Sequence, residues 1–178
     1  WVQHMTKSMN NSGRMAIVLP HGILYRKGGE SKIRQSLLEQ DLIETIISLG
    51  HNIFYGTSLS PCILIFKKVK KNEKKNKILI IDASKQIRIG RAQNFLEPEN
   101  INKIFNLYND YKNIENYSKV VTVDEIKENE YNLHIPLYID RITKKNSAAL
   151  DTILSDVELE ISNVIKAKKK FKDLFIRF

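Results

Sequence analysis

The chain has 178 residues, 42% of them hydrophobic, enough for one domain with a buried core plus an appendage. Its single cysteine, Cys62, excludes an internal disulfide and points to a reducing compartment, the cytoplasm. No stretch approaches the roughly 18 uninterrupted apolar residues of a membrane span. The net charge of +9 invites a polyanionic partner, but 22 Lys against 7 Arg is also the bias of an AT-rich coding sequence.

The opening WVQHMTKSMNN lacks an initiator Met and is no signal peptide. It reads as a helix over residues 1–10 with Val2, Met5 and Met9 on one face, and the expectation is a piece of a longer protein. Asn11-Ser12-Gly13 stops that helix. Arg14–Leu19 (RMAIVL) reads as a buried strand ending at Pro20. A Gly-rich loop, HGILYRKGGES, follows. Ser31 is expected to open a helix with Ile33, Leu37 and Leu38 inward, and Asp41–Leu49 is a second strand.

The stretch HNIFYGTSLSPCILIF (51–66) divides in two. Cys62–Phe66 suits a strand buried on both faces. Phe54 and Tyr55 stand side by side in the Gly/Ser/Thr half, as a lid on the core or as a surface offered to a ligand. Lys67–Lys77 (KKVKKNEKKNK) separates this strand from Lys77–Asp82 (KILIID). It reads as a solvated hairpin loop or as a phosphate-contacting patch.

Glu97-Pro98-Glu99 has Pro and acids where a helix starts, with Ile101, Ile104, Phe105 and Tyr108 along its apolar face. Ser118–Val123 is a short strand, Asp124 is expected to cap a helical turn, and YNLHIPLYID (131–140) is extended. The alternation of helix and strand marks an α/β fold with a largely parallel sheet and an antiparallel hairpin at one side. In residues 141–178, Leu150, Leu154, Val157, Ile161, Val164, Lys168, Phe171 and Phe175 recur at alternating spacings of four and three. This is an a/d seam on a long C-terminal helix, packing on its own domain or on another subunit.

No complete catalytic or metal constellation is present. His4, His21, His51 and His134 lack ligand spacing, and one cysteine makes no zinc site. No phosphate loop, nucleophile elbow or G-x-G-x-x-G occurs. Asp82 ends a strand where a ribose-binding acid would sit, or caps the following turn. Gly28-Gly29 is a mobile loop or a phosphate cradle. Ligands of open α/β sheets bind outside the carboxyl ends of the strands. Pro20, His21 and Gly22 lie at one such end and Phe54-Tyr55 after the next, so both are placed at one site, where an aromatic can stack on a flat ligand.

GRMAIVLPHGILYR, the Gly-rich loop and KIRQSLLEQDLIETIISLGHNIFYGTSLSPCILIF closely resemble the modification subunit of type I restriction–modification systems. KILIIDAS, KVVTVDEIKENEYNL and IPLYID continue the likeness across residues 1–140. These are adenine-specific DNA methyltransferases that use S-adenosylmethionine, with a Rossmann-like catalytic domain. The resemblance implies that this chain is the C-terminal half of that domain (1–140), with a helical tail (141–178) docking on the specificity subunit through Leu150, Leu154, Val157, Ile161 and Val164. It implies DNA and the specificity and restriction subunits as partners. Phe54, with Tyr55 beside it, matches the aromatic that stacks on a flipped adenine, and Pro20, His21 and Gly22 match a wall of the active site.

The family's cofactor glycine motif and its Asn-Pro-Pro-aromatic motif occur nowhere in the 178 residues. The cofactor site is therefore expected mostly outside this chain, and the chain alone is expected to be inactive. A non-catalytic methyltransferase-like module for DNA binding or assembly is the competing expectation. A fused restriction enzyme, or a methyltransferase acting on RNA, is a third.

Overall fold

The computed structural model describes residues 1–139 together with Val157, Ile161 and Lys168. The chain divides into two units, Trp1–Arg141 and Ile142–Phe178. In the second unit Val157, Ile161 and Lys168 are helical and exposed. Leu150, Leu154, Val164, Phe171 and Phe175 of the a/d seam lie outside the described residues.

The first unit is built on five strands: β1 (Arg14–Pro20), β2 (Ile43–Leu49), β3 (Pro61–Lys67), β4 (Lys77–Ala83) and β5 (Ser118–Thr122), in the spatial order β1-β3-β2-β4-β5. Among these pairs only β2–β4 is parallel, in register Thr45–Leu79 to Leu49–Ala83. The pairs β1–β3, β2–β3 and β4–β5 are antiparallel. The sheet is therefore mixed rather than largely parallel, and β3 and β4 do not form the expected hairpin. β2 is buried along its whole length, and β3 and β4 satisfy its two edges instead of each other's.

The connection from β3 to β4 consequently crosses beneath β2, and the lysine-rich stretch is not a free loop. Lys70 Nζ, 5% exposed, donates to Asp41 Oδ1 and to the Lys77 carbonyl, and the Asn76 amide donates to Asp41 Oδ2. Asp41, two residues ahead of β2, thus anchors the crossover. Burial pulls the Lys70 ammonium below its ordinary pKa, an effect that contact with Asp41 opposes.

Helices cover both faces. α2 (Gly29–Glu39) and α4 (Val123–Glu128) send Leu37, Leu38 and Ile126 onto one face, against Ile46, Phe66 and Ile80. The short α1 (Val2–Ser8) adds Val2, and Met9 just after it packs at the margin of the same core. α3 (Pro98–Asp110) sends Ile104 and Leu107 onto the other, against Ile47, Leu79 and Ile81. α3 starts where Pro98 and its acids direct, with a reciprocal Glu97–Asn100 capping box. Three local expectations are corrected. α2 begins at Gly29, because Gly28 at φ +82° supplies the entry turn. The cap of α4 is Thr122, whose hydroxyl accepts from the Glu125 amide, rather than Asp124. Residues 131–139 form no strand: His134 is extended, but a 3₁₀ turn follows at Ile135–Leu137, and Leu133, Ile135 and Tyr138 return to the core.

Because β1, β2 and β4 run in one direction, their carboxyl ends share one end of the sheet with the start of β3. The Lys67–Lys77 stretch lies at the opposite end. β1 pairs only with β3 among the described strands, so its other edge carries unpaired backbone groups.

Candidate functional site

Three segments meet at the carboxyl end of the sheet: residues 20–28 after β1, the aromatic loop 50–60 between β2 and β3, and residues 84–97 after β4. Hydrogen bonds hold the aromatic loop at both of its ends.

At its far end, the His21 amide donates to the Ser60 carbonyl at 3.1 Å. Pro20 pairs with Pro61 in the β1–β3 ladder. At its near end, Asn94 Nδ2 donates to the His51 carbonyl at 2.9 Å and the Asn94 amide to the Asn52 carbonyl at 2.8 Å. Asn52 Nδ2 returns a bond to the Ala92 carbonyl at 3.1 Å, and Gln93 Nε2 donates to the Ile53 carbonyl. Three consecutive residues ahead of Phe54 are thereby fixed to three consecutive residues of the 84–97 segment.

That segment is itself a small closed hairpin. Arg88 and Phe95 exchange backbone hydrogen bonds at 2.8 and 2.9 Å. Gly90 is required in its tip, since a Cβ there would stand 2.1 Å from the Gln93 carbonyl oxygen. Asn94, 3% exposed, is buried at its base.

Within the aromatic loop, Ile53 packs on the α3-side core. Phe54 and Tyr55 belong to neither core cluster and are 46% and 97% exposed. Gly56 at φ +77° turns the chain back. The residue sealing the core at this point is thus Ile53. A half-exposed ring on a braced loop is able to lie flat against a planar partner without first unfolding anything.

The segment after β1 is held by Arg34 of α2. Its Nε donates to the Tyr131 carbonyl at 2.7 Å, and its Nη atoms donate to the carbonyls of Ile23 (2.9 Å) and Arg26 (3.2 Å). Burial lowers the pKa of this guanidinium, and Glu30 opposes the shift. The fork lies in the same inward stripe as Leu37 and Leu38, which was its one sequence signal. The Leu133 amide adds a bond to the Leu24 carbonyl at 2.9 Å. Gly22 is buried, and a Cβ there would meet the Arg26 side chain at 2.7 Å. The aromatic Tyr25, 45% exposed, meets His134 edge to face, 5.1 Å between centroids.

The remaining candidates resolve plainly. Asp82 Oδ1 accepts from the Ser84 amide at 3.0 Å, the turn-capping arrangement. Cys62 is buried and its thiol is pushed up to about 12 by desolvation, which makes it unreactive. No group of three or more His, Cys, Asp or Glu could hold a metal among the described residues. The turn after β1 runs through a 3₁₀ turn (His21–Leu24) before α2 begins at Gly29, so no glycine turn joins a strand directly to a helix. No described helix is long and apolar enough to cross a membrane.

This chain belongs to the N-6 DNA methylase family, which it matches over residues 1–147. It is 36% identical over 177 residues to the methylase subunit of the type I restriction enzyme MjaVII of Methanocaldococcus jannaschii, covering 98% of this chain and 29% of that relative. It is 32% identical to the methylase subunit of the type I enzyme MpnII of Mycoplasma pneumoniae, covering 98% of this chain and 32% of the relative. Among solved structures it is similar to the type I restriction–modification methyltransferase subunit of Streptococcus thermophilus. The TM-score there is 0.73 at 40% identity, over 78% of this chain and 29% of the other. The chain thus spans about three tenths of the length of the curated relatives it matches.

Proposed function

We propose that this chain is the C-terminal part of the modification subunit of a type I restriction–modification enzyme. The whole protein would transfer a methyl group from S-adenosylmethionine to the exocyclic amino group of adenine in DNA, in the cytoplasm. Specificity and restriction subunits would be its protein partners. The names of the relatives and the family match support this reading.

The observation that carries the site is Phe54: a half-exposed ring outside the core, on a loop fixed at both ends, at the carboxyl end of the sheet. An adenine amino group is unreachable inside a duplex, so the base must be extruded and held flat. Phe54 supplies the stacking face, Tyr55 stands beside it, and Pro20, His21 and Gly22 form the adjoining wall. Stacking on an aromatic is worth about 1–3 kcal/mol per base. The groups that hold cofactor and the adenine amino nitrogen belong to the rest of the subunit. No step through the cofactor is derived from these residues, and the chain alone is inactive in this reading.

The test is Phe54→Ala in the intact protein. Turnover and the fluorescence of a 2-aminopurine placed at the target base should both change, while cofactor affinity measured by calorimetry stays the same. An unaltered methylation rate overturns the role of Phe54. Micromolar cofactor binding by the 178-residue chain alone overturns the division of labour.

A further inference from the structure

We infer that the 84–97 hairpin is a phosphate-contacting arm for the DNA flanking the target base, with Lys85 and Arg91 as its contacts. This rests on the reading of the aromatic loop as the base-stacking element.

Three observations carry it. The hairpin is bonded to residues 51–53 by Asn52, Gln93 and Asn94, so its tip and Phe54 keep a fixed spacing. It is closed by the Arg88–Phe95 bridge and by the tight turn at Gly90, so the tip does not need ordering on binding. Its cations divide by availability. Arg88 lies 4.3 Å over the Phe95 ring and donates to Glu97, which occupies it. Lys85 and Arg91 are exposed and, among the described residues, engaged in no hydrogen bond or ion pair.

The charge count alone favours the lysine-rich crossover, yet it lies at the wrong end of the sheet. Seven-residue strands separate the two ends by about 20 Å, so a duplex seated on the aromatic loop would have to span the sheet to reach it. Lys70 is buried against Asp41, and Lys74 stands 3.9 Å over the Tyr111 ring. Sequence-independent affinity for a duplex comes from cations near phosphates, each releasing condensed counterions. Two exposed cations on a segment bonded to the residues just ahead of the base-stacking ring suit the backbone beside an extruded nucleotide.

The experiment measures DNA affinity of the intact protein by fluorescence anisotropy across a salt series. Lys85→Ala and Arg91→Ala should each flatten the slope of log K against log [salt] by about 0.9, and the double variant by about 1.8. Arg91→Lys should keep the original slope. Lys71→Ala and Lys75→Ala, at the opposite end of the sheet, should leave it unchanged. Unchanged slopes for Lys85→Ala and Arg91→Ala in a protein that still binds DNA overturn this inference alone. Equal flattening by the two opposite-end variants overturns it as well. An intact protein with no DNA affinity overturns it together with the base-stacking reading.

Discussion

The Asn94 side chain donates to the carbonyl of His51 at 2.9 Å, joining residues 43 apart in sequence. Its Oδ1 accepts from the Gly90 amide at 3.3 Å, so one buried side chain both closes the 84–97 hairpin and suspends the aromatic loop. Asn94→Ala removes both bonds and leaves a void where a side chain 3% exposed had stood. It should cost about 1–3 kcal/mol in urea unfolding. Hydrogen exchange should quicken at residues 51–57 while the β2 and β4 amides keep their protection. Uniform quickening across the sheet would mean that Asn94 supports the whole domain rather than the loop.

Arg34 plays the corresponding part on the other side of the site. It is buried, makes no salt bridge among the described residues, and spends its fork on three backbone carbonyls. Arg34→Met keeps the apolar stem and loses the fork, and should destabilise by about 2–3 kcal/mol. Released from Arg34, the exposed Arg26-Lys27 pair should be cut by trypsin well before the rest of the domain. Unchanged cleavage at that pair would show that the fork is not what holds the segment.

These two braces mark the boundary of what was legible in the sequence. β2, β3 and β4 were readable as apolar runs, because burial writes itself into local composition. β1, expected as a buried strand, has no buried residue and alternates exposed with half-buried positions at the sheet edge. Strand pairing was not. PCILIFK and KILIIDA look like neighbours across a polar turn, but nothing local records that β2 needs partners on both edges, or that Asp41 receives Lys70 and the Asn76 amide. The position of Phe54 ahead of a core strand was readable. The identity of Ile53 as the residue that seals the core was not, since adjacent apolar residues are told apart only by the packing of α3. Asn94 had no signal at all: an amide bonded to a carbonyl across 43 residues has no sequence period.

Cys62 gives the domain a defined alkaline response. Its thiol titrates near 8.5 in an unfolded chain, whereas burial raises it to about 12 in the folded one. Between those values the unfolded state has released a proton that the folded state still holds. Stability therefore falls with rising pH, with the full contribution present below about pH 8.5. Urea midpoints measured from pH 7 to 10 should decline, and Cys62→Ala should start lower but decline less. The native thiol should resist a disulfide exchange reagent until unfolding. Rapid labelling of the folded chain at pH 8 would contradict its burial.

Val157 and Ile161 are helical and 50% and 55% exposed, four residues apart in sequence. Paired i, i+4 apolar residues left in solvent suit a docking helix. In the subunit-docking reading, Val157→Glu with Ile161→Glu in the intact protein should abolish co-elution with the specificity subunit. Catalytic-domain melting should be unchanged. A complex that still forms on a sizing column places the docking contact elsewhere.

The unpaired edge of β1 makes the last prediction. Alternate residues of this seven-residue strand turn their backbone donors and acceptors to the free edge, and Val18 is 47% exposed. Beside them, a cleft of about 550 Å³ is lined by Met15, Ile63, Ile65, Ile101 and Phe105. Natural edges of this length are blunted by inward charges, bulges or a covering element, and β1 has only Arg14 at its start and Pro20 at its end. The 178-residue chain by itself should therefore self-associate, through pairing of β1 edges and burial of the Ile101–Phe105 stripe. Light scattering should report dimers or larger species at tens of micromolar (roughly the range where weak edge contacts saturate). Val18→Lys places a charge on the edge and should restore the monomer while costing no more than about 1 kcal/mol of unfolding free energy. Phe105→Ser, on the neighbouring helix, should act in the same direction but more weakly, because it removes apolar area and leaves the backbone edge intact. A chain that is monomeric throughout, or variants that associate as before, would show that the β1 edge is not the adhesive surface.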